Sequence, residues 1–234
     1  TAEGPYREAS LLQRLKTLFN ISHYRYPQML IIMSLSSYTV HPPSEQTEQK
    51  SDGFRYMCEQ FADIRIMRYR VPGFEDLGPE QKKFLYYLGE AALAGRDIIY
   101  DQNFKYNLAI RRSLEEIYTN YTGDRQTPEW DAFLTYLKKI WFSNGIHHHY
   151  STDKFTPGFS REYFRTLVAN APGSVFPLGE GQGLEEFTAW IAEIMFNEEI
   201  ASKRVSNDVG RDLVESSACN YYDGPNHSEA EAFY

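Results

Sequence analysis

The sequence predicts a mainly α chain with minor strand content, and three observations carry that expectation. From Phe54 onward, apolar residues recur at three- and four-residue spacing in one segment after another, the period of a helix with one buried face. These segments open and close on helix signals, with Thr127-Pro128 and Ser160 at starts and Gly95, Gly123 and Gly145 at stops. The 234 residues are 42% hydrophobic and 15% aromatic, enough apolar surface for a sizeable core.

Taken in order, Phe54, Met57, Phe61 and Ile64 predict a first helix that stops before the Pro72-Gly73 turn, with Cys58 on its apolar side. Pro79 suits a first helical turn, and Phe84, Leu85, Leu88, Ala91 and Ala92 form the next stripe, broken at Gly95. Ile98, Ile99 and Tyr100 are read as extended. Leu114, Ile117, Tyr118 and Tyr121 predict a helix over 108–121 that ends at Gly123. Thr127 caps the following helix, Pro128 takes its first position, and Trp130, Phe133, Leu134, Leu137, Ile140 and Trp141 give it a wide apolar face up to Gly145.

Ser160 caps a shorter helix through about Val168. A Gly- and Pro-rich loop, Asn170 to Gly183, leads to a long amphipathic helix carrying Leu184, Phe187, Ile191, Ile194 and Met195. The GEGQG run at Gly179–Gly183 lacks the GK[ST] ending of a phosphate loop. Leu213 to Tyr222 has no assignable period, and Cys219 to Tyr222 reads as a strand or helix end entering a turn.

Composition changes at Gly53, where the polar run HPPSEQTEQKSDG gives way to patterned segments. Residues 1–52 are therefore expected to be a signal-like or disordered segment, and residues 53–234 the folded lobe. Met29 to Val40 reads equally as the apolar stretch of a damaged signal sequence or as a short buried helix or strand, which leaves cytoplasmic and exported locations open. No run of about 18 apolar residues occurs, so no transmembrane helix is expected. The net charge of −8 argues against a nucleic-acid partner, which would need a clustered Lys/Arg surplus. Cys58 and Cys219, far apart in sequence, offer neither a disulfide framework nor a CxxC metal motif.

The densest chemistry lies in Trp141–Tyr150, WFSNGIHHHY. In an extended segment His147 and His149 would face the same side, a usable two-ligand pair for zinc, but no further ligand is evident and no His in the chain is followed by Glu. A polar loop whose histidines bond to backbone or substrate is the preferred reading. The pairs Glu115-Glu116, Glu185-Glu186 and Glu198-Glu199 point about 100° apart on helices and are assigned no catalytic role. There is no G-x-S-x-G elbow.

Several blocks together are more specific. FRYMCEQFADIRIMRYRVPGF, AALAGRDIIYDQN, YNLAIRRSLEEIY, WFSNGIHHHYSTDKFTPGF, SACNYYDG and the final EAEAFY resemble the N-terminal part of bacterial dipeptidyl peptidase III. The resemblance covers roughly Gly53 to Tyr234. It implies a two-lobed α+β zinc metallopeptidase that removes dipeptides from peptide N-termini, with this chain forming the substrate-binding lobe and a downstream lobe holding the zinc. The H-E-x-x-G-H motif of that family does not occur here, so the chain alone is expected to be inactive and to leave zinc incompletely liganded. Matching positions implies a cleft-lining stretch, extended along a bound peptide, with His149 and Tyr150 against the peptide and Ser151 offering backbone groups. Asn144, Gly145, Lys154 and Phe155 complete the expected substrate-binding set. The competing expectations are a non-catalytic helical interaction module and a small metalloprotein built on His147, His148 and His149.

Overall fold

A computed structural model describes residues 54–233. The expectations for residues 1–52, including the Met29–Val40 stretch, lie outside the described residues. The chain is mainly helical with a small two-stranded antiparallel sheet, and it divides into two compact units between Gly95 and Arg96. That division falls inside the single lobe expected over 53–234.

In the first unit, the segment expected to be a helix is instead a β-hairpin. Strand β1 (Met57–Phe61) pairs with β2 (Ile64–Met67), with Phe61 opposite Ile64, Glu59 opposite Ile66 and an irregularity between Met57 and Glu59. Arg68 N–H extends the ladder to Tyr56 O at 2.8 Å. The apolar spacing of this stretch fits both periods, but Ile64 and Ile66 are buried on either side of an exposed Arg65, which is the two-residue alternation of a strand. The turn is only Ala62-Asp63, with Ala62 at φ +48°. Cys58 therefore lies half-buried in a strand rather than on a helix.

Helix α1 (Pro79–Ala94) begins as expected, with Pro79 in its first turn and the Gln81 side chain accepting the Gly78 N–H at 2.9 Å. Gly95 N–H closes it onto Ala91 O. Its stripe is not a core face: Phe84, Leu85, Leu88, Ala91 and Ala92 are all exposed, as are Tyr86 and Tyr87.

The second unit begins with α2 (Arg96–Asn103), a helix where extended chain was expected. Its inward residues are Tyr100 and Asn103, one turn apart, while Ile98 and Ile99 face outward, so the apolar doublet that suggests a strand is not what the element buries. Asp97 in its first turn accepts Arg111 Nη1 at 2.7 Å. Helix α3 (Asn107–Asn120) buries Ile110, Leu114 and Ile117, and α4 (Pro128–Ser143) buries Trp130, Phe133, Tyr136, Leu137 and Ile140 against it. Thr127 Oγ1 accepts the Trp130 N–H at 3.1 Å, which is the expected cap. Leu134 and Trp141 are only partly buried. Trp141 lies edge-on to Tyr118 and donates Nε1–H to Glu115 Oε1 at 2.9 Å.

Ser160 caps α5 (Arg161–Ala169) by accepting the Tyr163 N–H, and α6 (Leu184–Phe196) adds Phe187, Ile191, Ile194 and Met195 to the core. The turn before α6 is closed on itself, with Gly179 N–H donating to Gln182 Oε1 at 3.1 Å. Residues 217–222 form no strand or helix end. The short α7 (His227–Phe233) has a signal the sequence does carry, since Asn226 and Glu229 exchange backbone-to-side-chain hydrogen bonds as a reciprocal cap. No helix among the described residues is long and apolar enough to cross a membrane.

Candidate functional site

The candidate site starts where α4 stops. Asn144 takes φ +53° and Gly145 φ +146°, and the Gly145 N–H reaches back to Ile140 O at 3.1 Å, so the chain leaves the helix through a left-handed corner. A partly buried polar network fixes this corner. Arg96 Nη2 donates to Asn144 Oδ1 at 2.7 Å and to Trp141 O at 3.0 Å, and Asn103 Nδ2 donates to Asn144 O. Asn107, fully buried, donates Nδ2–H to Tyr100 O at 3.0 Å and accepts the Ile146 N–H at 3.1 Å. Its amide occupies the space a side chain at Gly145 would need. Sequence reasoning missed Arg96, Asn103 and Asn107; the two Asn, four positions apart between patterned helices, were the available signal.

From this corner Ile146 to Phe155 folds back on itself. Phe155 N–H donates to Ile146 O at 2.8 Å, His148 N–H to Asp153 O at 2.7 Å, and Thr152 N–H to His148 O at 3.0 Å. The stretch expected to run extended is thus a tight hairpin with extended flanks, because Thr152 adopts φ +65° and returns the chain within five residues. His148 Nδ1 accepts the N–H groups of both Tyr150 (3.2 Å) and Ser151 (3.0 Å) and so ties down the apex.

Three further segments lie beside the hairpin. Lys154 N–H donates to Ser202 O, Arg204 N–H to Thr152 O, Ala218 N–H to Lys203 O, Cys219 N–H to Arg204 O, and Asn220 N–H to Gln102 O. The result is a ladder that runs hairpin, 202–205, 218–220, α2. Arg204 crosses it, with Nη1 at 3.3 Å from Asn103 Oδ1 and Nη2 at 3.3 Å from His149 O.

The expected site residues divide sharply in this frame. Tyr150 is 76% exposed at the apex and Ser151 is exposed beside it. The His149 ring lies edge-on to Phe142 at 4.9 Å and against His148 at 4.4 Å. Phe155 is 7% exposed and belongs to the core. Lys154 holds the fold together at the end of α6, where its Nζ donates to Ile194 O, Asn197 O and Ile200 O at 2.6, 2.6 and 2.7 Å. These carbonyls include the unpaired acceptors of a helix C-terminus, the negative end of its dipole. Burial lowers the Lys154 ammonium to about 8, with Glu193 and Glu198 opposing. Asn144 and Gly145 form the corner, and so Tyr150, Ser151 and the backbone of the apex are what faces outward.

His147 and His149 do not form a ligand pair. His147 is buried, its Nε2 2.7 Å from Ala201 O and its ring edge-on to Phe104. No group of three or more His, Cys, Asp or Glu side chains among the described residues could hold a metal ion. The apex can present an aromatic face, a hydroxyl and backbone groups on a rigid support, an arrangement suited to holding a ligand. Compared with known proteins, the chain matches no family model and no curated protein.

Proposed function

We propose that this chain binds peptides through the apex of the Ile146–Phe155 hairpin, as the substrate-holding front part of a zinc-dependent peptidase resembling dipeptidyl peptidase III. The observation that carries the reading is Tyr150, a large aromatic side chain left 76% exposed on a hairpin whose two flanks are hydrogen-bonded into the core. An exposed tyrosine on a preorganised support loses little conformational entropy on binding, and it offers both a ring face and a hydroxyl. Ser151 adds a hydroxyl beside it, and the Tyr150 and Ser151 carbonyls can accept from a peptide, their N–H groups being held by His148 Nδ1. Among the described residues, His147 and His148 are engaged with backbone groups and no three-ligand group for a metal is present.

The test is titration of the purified chain with short peptides bearing a free N-terminus, followed by amide chemical shifts. Peptide-dependent shifts centred on Tyr150 and Ser151, lost in Tyr150→Ala, support the reading. Absence of any shift at millimolar peptide overturns it.

A second reading, a helical interaction module, has one observation in its favour. Helix α1 exposes Phe84, Leu85, Tyr86, Tyr87 and Leu88, a density of large apolar groups that marks association surfaces. Concentration-dependent self-association or partner capture abolished by Phe84→Ser and Leu88→Ser would favour it.

A further inference from the structure

We propose that His147 is an acid-sensitive latch: a second proton on its imidazole opens the base of the hairpin and withdraws the support that presents Tyr150. The inference adds regulation to the peptide-binding reading and rests on it for its biological meaning, though the opening itself can be measured without any peptide.

His147 is 2% exposed and sits one residue past Ile146, where the first flank of the hairpin enters the core. Its Nε2 lies 2.7 Å from Ala201 O, and because a carbonyl can only accept, Nε2 carries the hydrogen. Nδ1 then presents a lone pair that is buried and has no hydrogen-bond partner. A second proton has to be placed on Nδ1, with nothing to receive its hydrogen bond.

The charges around the ring make that worse. Lys154 stands directly across the hairpin, bridged to His147 through the backbone, and Arg204 approaches from the 202–205 segment. Asp153, on the returning flank, opposes them. Phe104 contributes an uncharged ring edge at 5.9 Å, while the hydrogen bond to Ala201 O favours the protonated ring. Burial, the largest effect, outweighs the Ala201 hydrogen bond and Asp153 and, with the two cations adding to it, holds the imidazole down to about 4.

Once the hairpin opens, the ring meets water and regains its ordinary value of 6.5. The closed state binds fewer protons than the open one, so its stability is complete above pH 6.5 and is lost as the pH falls toward about 4. With those two values, the opening equilibrium constant rises about thirty-fold between about pH 7.5 and about pH 5. Opening breaks the bonds His148 N–H to Asp153 O, Phe155 N–H to Ile146 O and Lys154 N–H to Ser202 O, none of which belongs to α4 or α3. The change is thus local to the hairpin and its ladder.

The experiment is amide hydrogen exchange on the intact chain at about pH 7.5 and about pH 5, expressed as protection factors so that the intrinsic pH dependence of exchange is removed. Protection at His148, Thr152 and Phe155 is expected to fall about thirty-fold at the lower pH, with Leu137 and Ile140 in α4 little changed. His147→Gln keeps a donor for Ala201 O and has nothing to titrate, so its hairpin protection is expected to be independent of pH. Unchanged protection in the wild-type chain, or the same loss in His147→Gln, overturns the proposal. If His147→Gln does not fold, the wild-type ring decides by its own NMR titration. An imidazole that gains its proton near its ordinary value without loss of hairpin protection overturns the latch, and one that stays neutral to below about pH 5 in the closed state supports it. Peptide titration at about pH 7.5 separates the two ideas. Loss of protection without peptide binding retires the peptide-binding reading and leaves the latch standing, whereas peptide binding with pH-independent protection does the reverse.

Discussion

Replacing Gly145 by Ala should unseat the corner at the end of α4. Gly145 has φ +146°, a conformation that L side chains rarely adopt, and a Cβ built there would stand 2.7 Å from Asn107 Cγ and 2.9 Å from Asn107 Oδ1. The amide has nowhere to withdraw, since Asn107 is 0% exposed and holds Tyr100 O with one end and the Ile146 N–H with the other. Backbone strain of this kind costs about 1–3 kcal/mol. Displacing the amide leaves a buried carbonyl and a buried N–H unsatisfied, at about 1–3 kcal/mol each. The chain can relieve the clash only by accepting more strain or by losing those bonds, so the combined destabilisation is expected at about 3–5 kcal/mol. Urea unfolding followed by far-ultraviolet circular dichroism would read it as a drop in the transition midpoint at unchanged slope. In an Asn107→Ala background the clash is gone, and Gly145→Ala should then cost only the backbone part, about 1–3 kcal/mol. A loss under about 1 kcal/mol for the single variant, or strictly additive losses in the double variant, would refute the reasoning.

Other perturbations test neighbouring parts of the frame. Lys154→Met leaves three carbonyls at the end of α6 without their donor and should destabilise the protein by about 2–4 kcal/mol in the same unfolding assay. Trp141→Ala removes a half-buried ring and its hydrogen bond to Glu115, for an expected loss of about 2–3 kcal/mol by thermal or urea unfolding. Tyr150→Ala should leave stability within about 0.5 kcal/mol, and should weaken peptide binding about ten-fold if the ring stacks on the ligand. The purified chain should release no dipeptides in a zinc-supplemented peptidase assay, because water activation requires a metal held with an open position and no group of three or more potential ligands occurs among the described residues.

The long helices were legible because local rules and tertiary demand agree in them. Thr127, Pro128, Trp130, Phe133, Leu137 and Ile140 each say the same thing at cap, first turn and buried face, and α4 follows. The first hairpin was misread because Phe54, Met57, Phe61 and Ile64 happen to fit a helical period in a stretch too short to reject it, while the deciding feature is the burial of Ile64 and Ile66 on either side of Arg65. At Ile98-Ile99 the doublet suggests a strand by composition, yet the helix turns both outward and buries Tyr100 and Asn103 instead. The site was legible as a place, the stretch after Gly145, but its internal division was not. Nothing local to Lys154 reveals that its ammonium meets carbonyls forty and more residues away, and nothing local to His147 reveals Ala201. Long-range hydrogen bonds leave no periodic trace in sequence.

The ladder that carries the hairpin also has an order of assembly. Its members come from α2, residues 146–155, residues 202–205 and residues 218–220, and bonds such as Arg204 to Asn103 and Asn220 to Asp101 span 101 and 119 positions. The packing of α3 on α4 joins near neighbours in the chain and can form early, whereas each ladder contact must first overcome the entropy of closing a long loop. During synthesis the hairpin can close onto itself as soon as Phe155 is available, but its support is complete only after Asn220 has emerged. The apex that faces outward therefore gains its full support late, and a chain released before that point would carry Tyr150 on an incompletely braced hairpin.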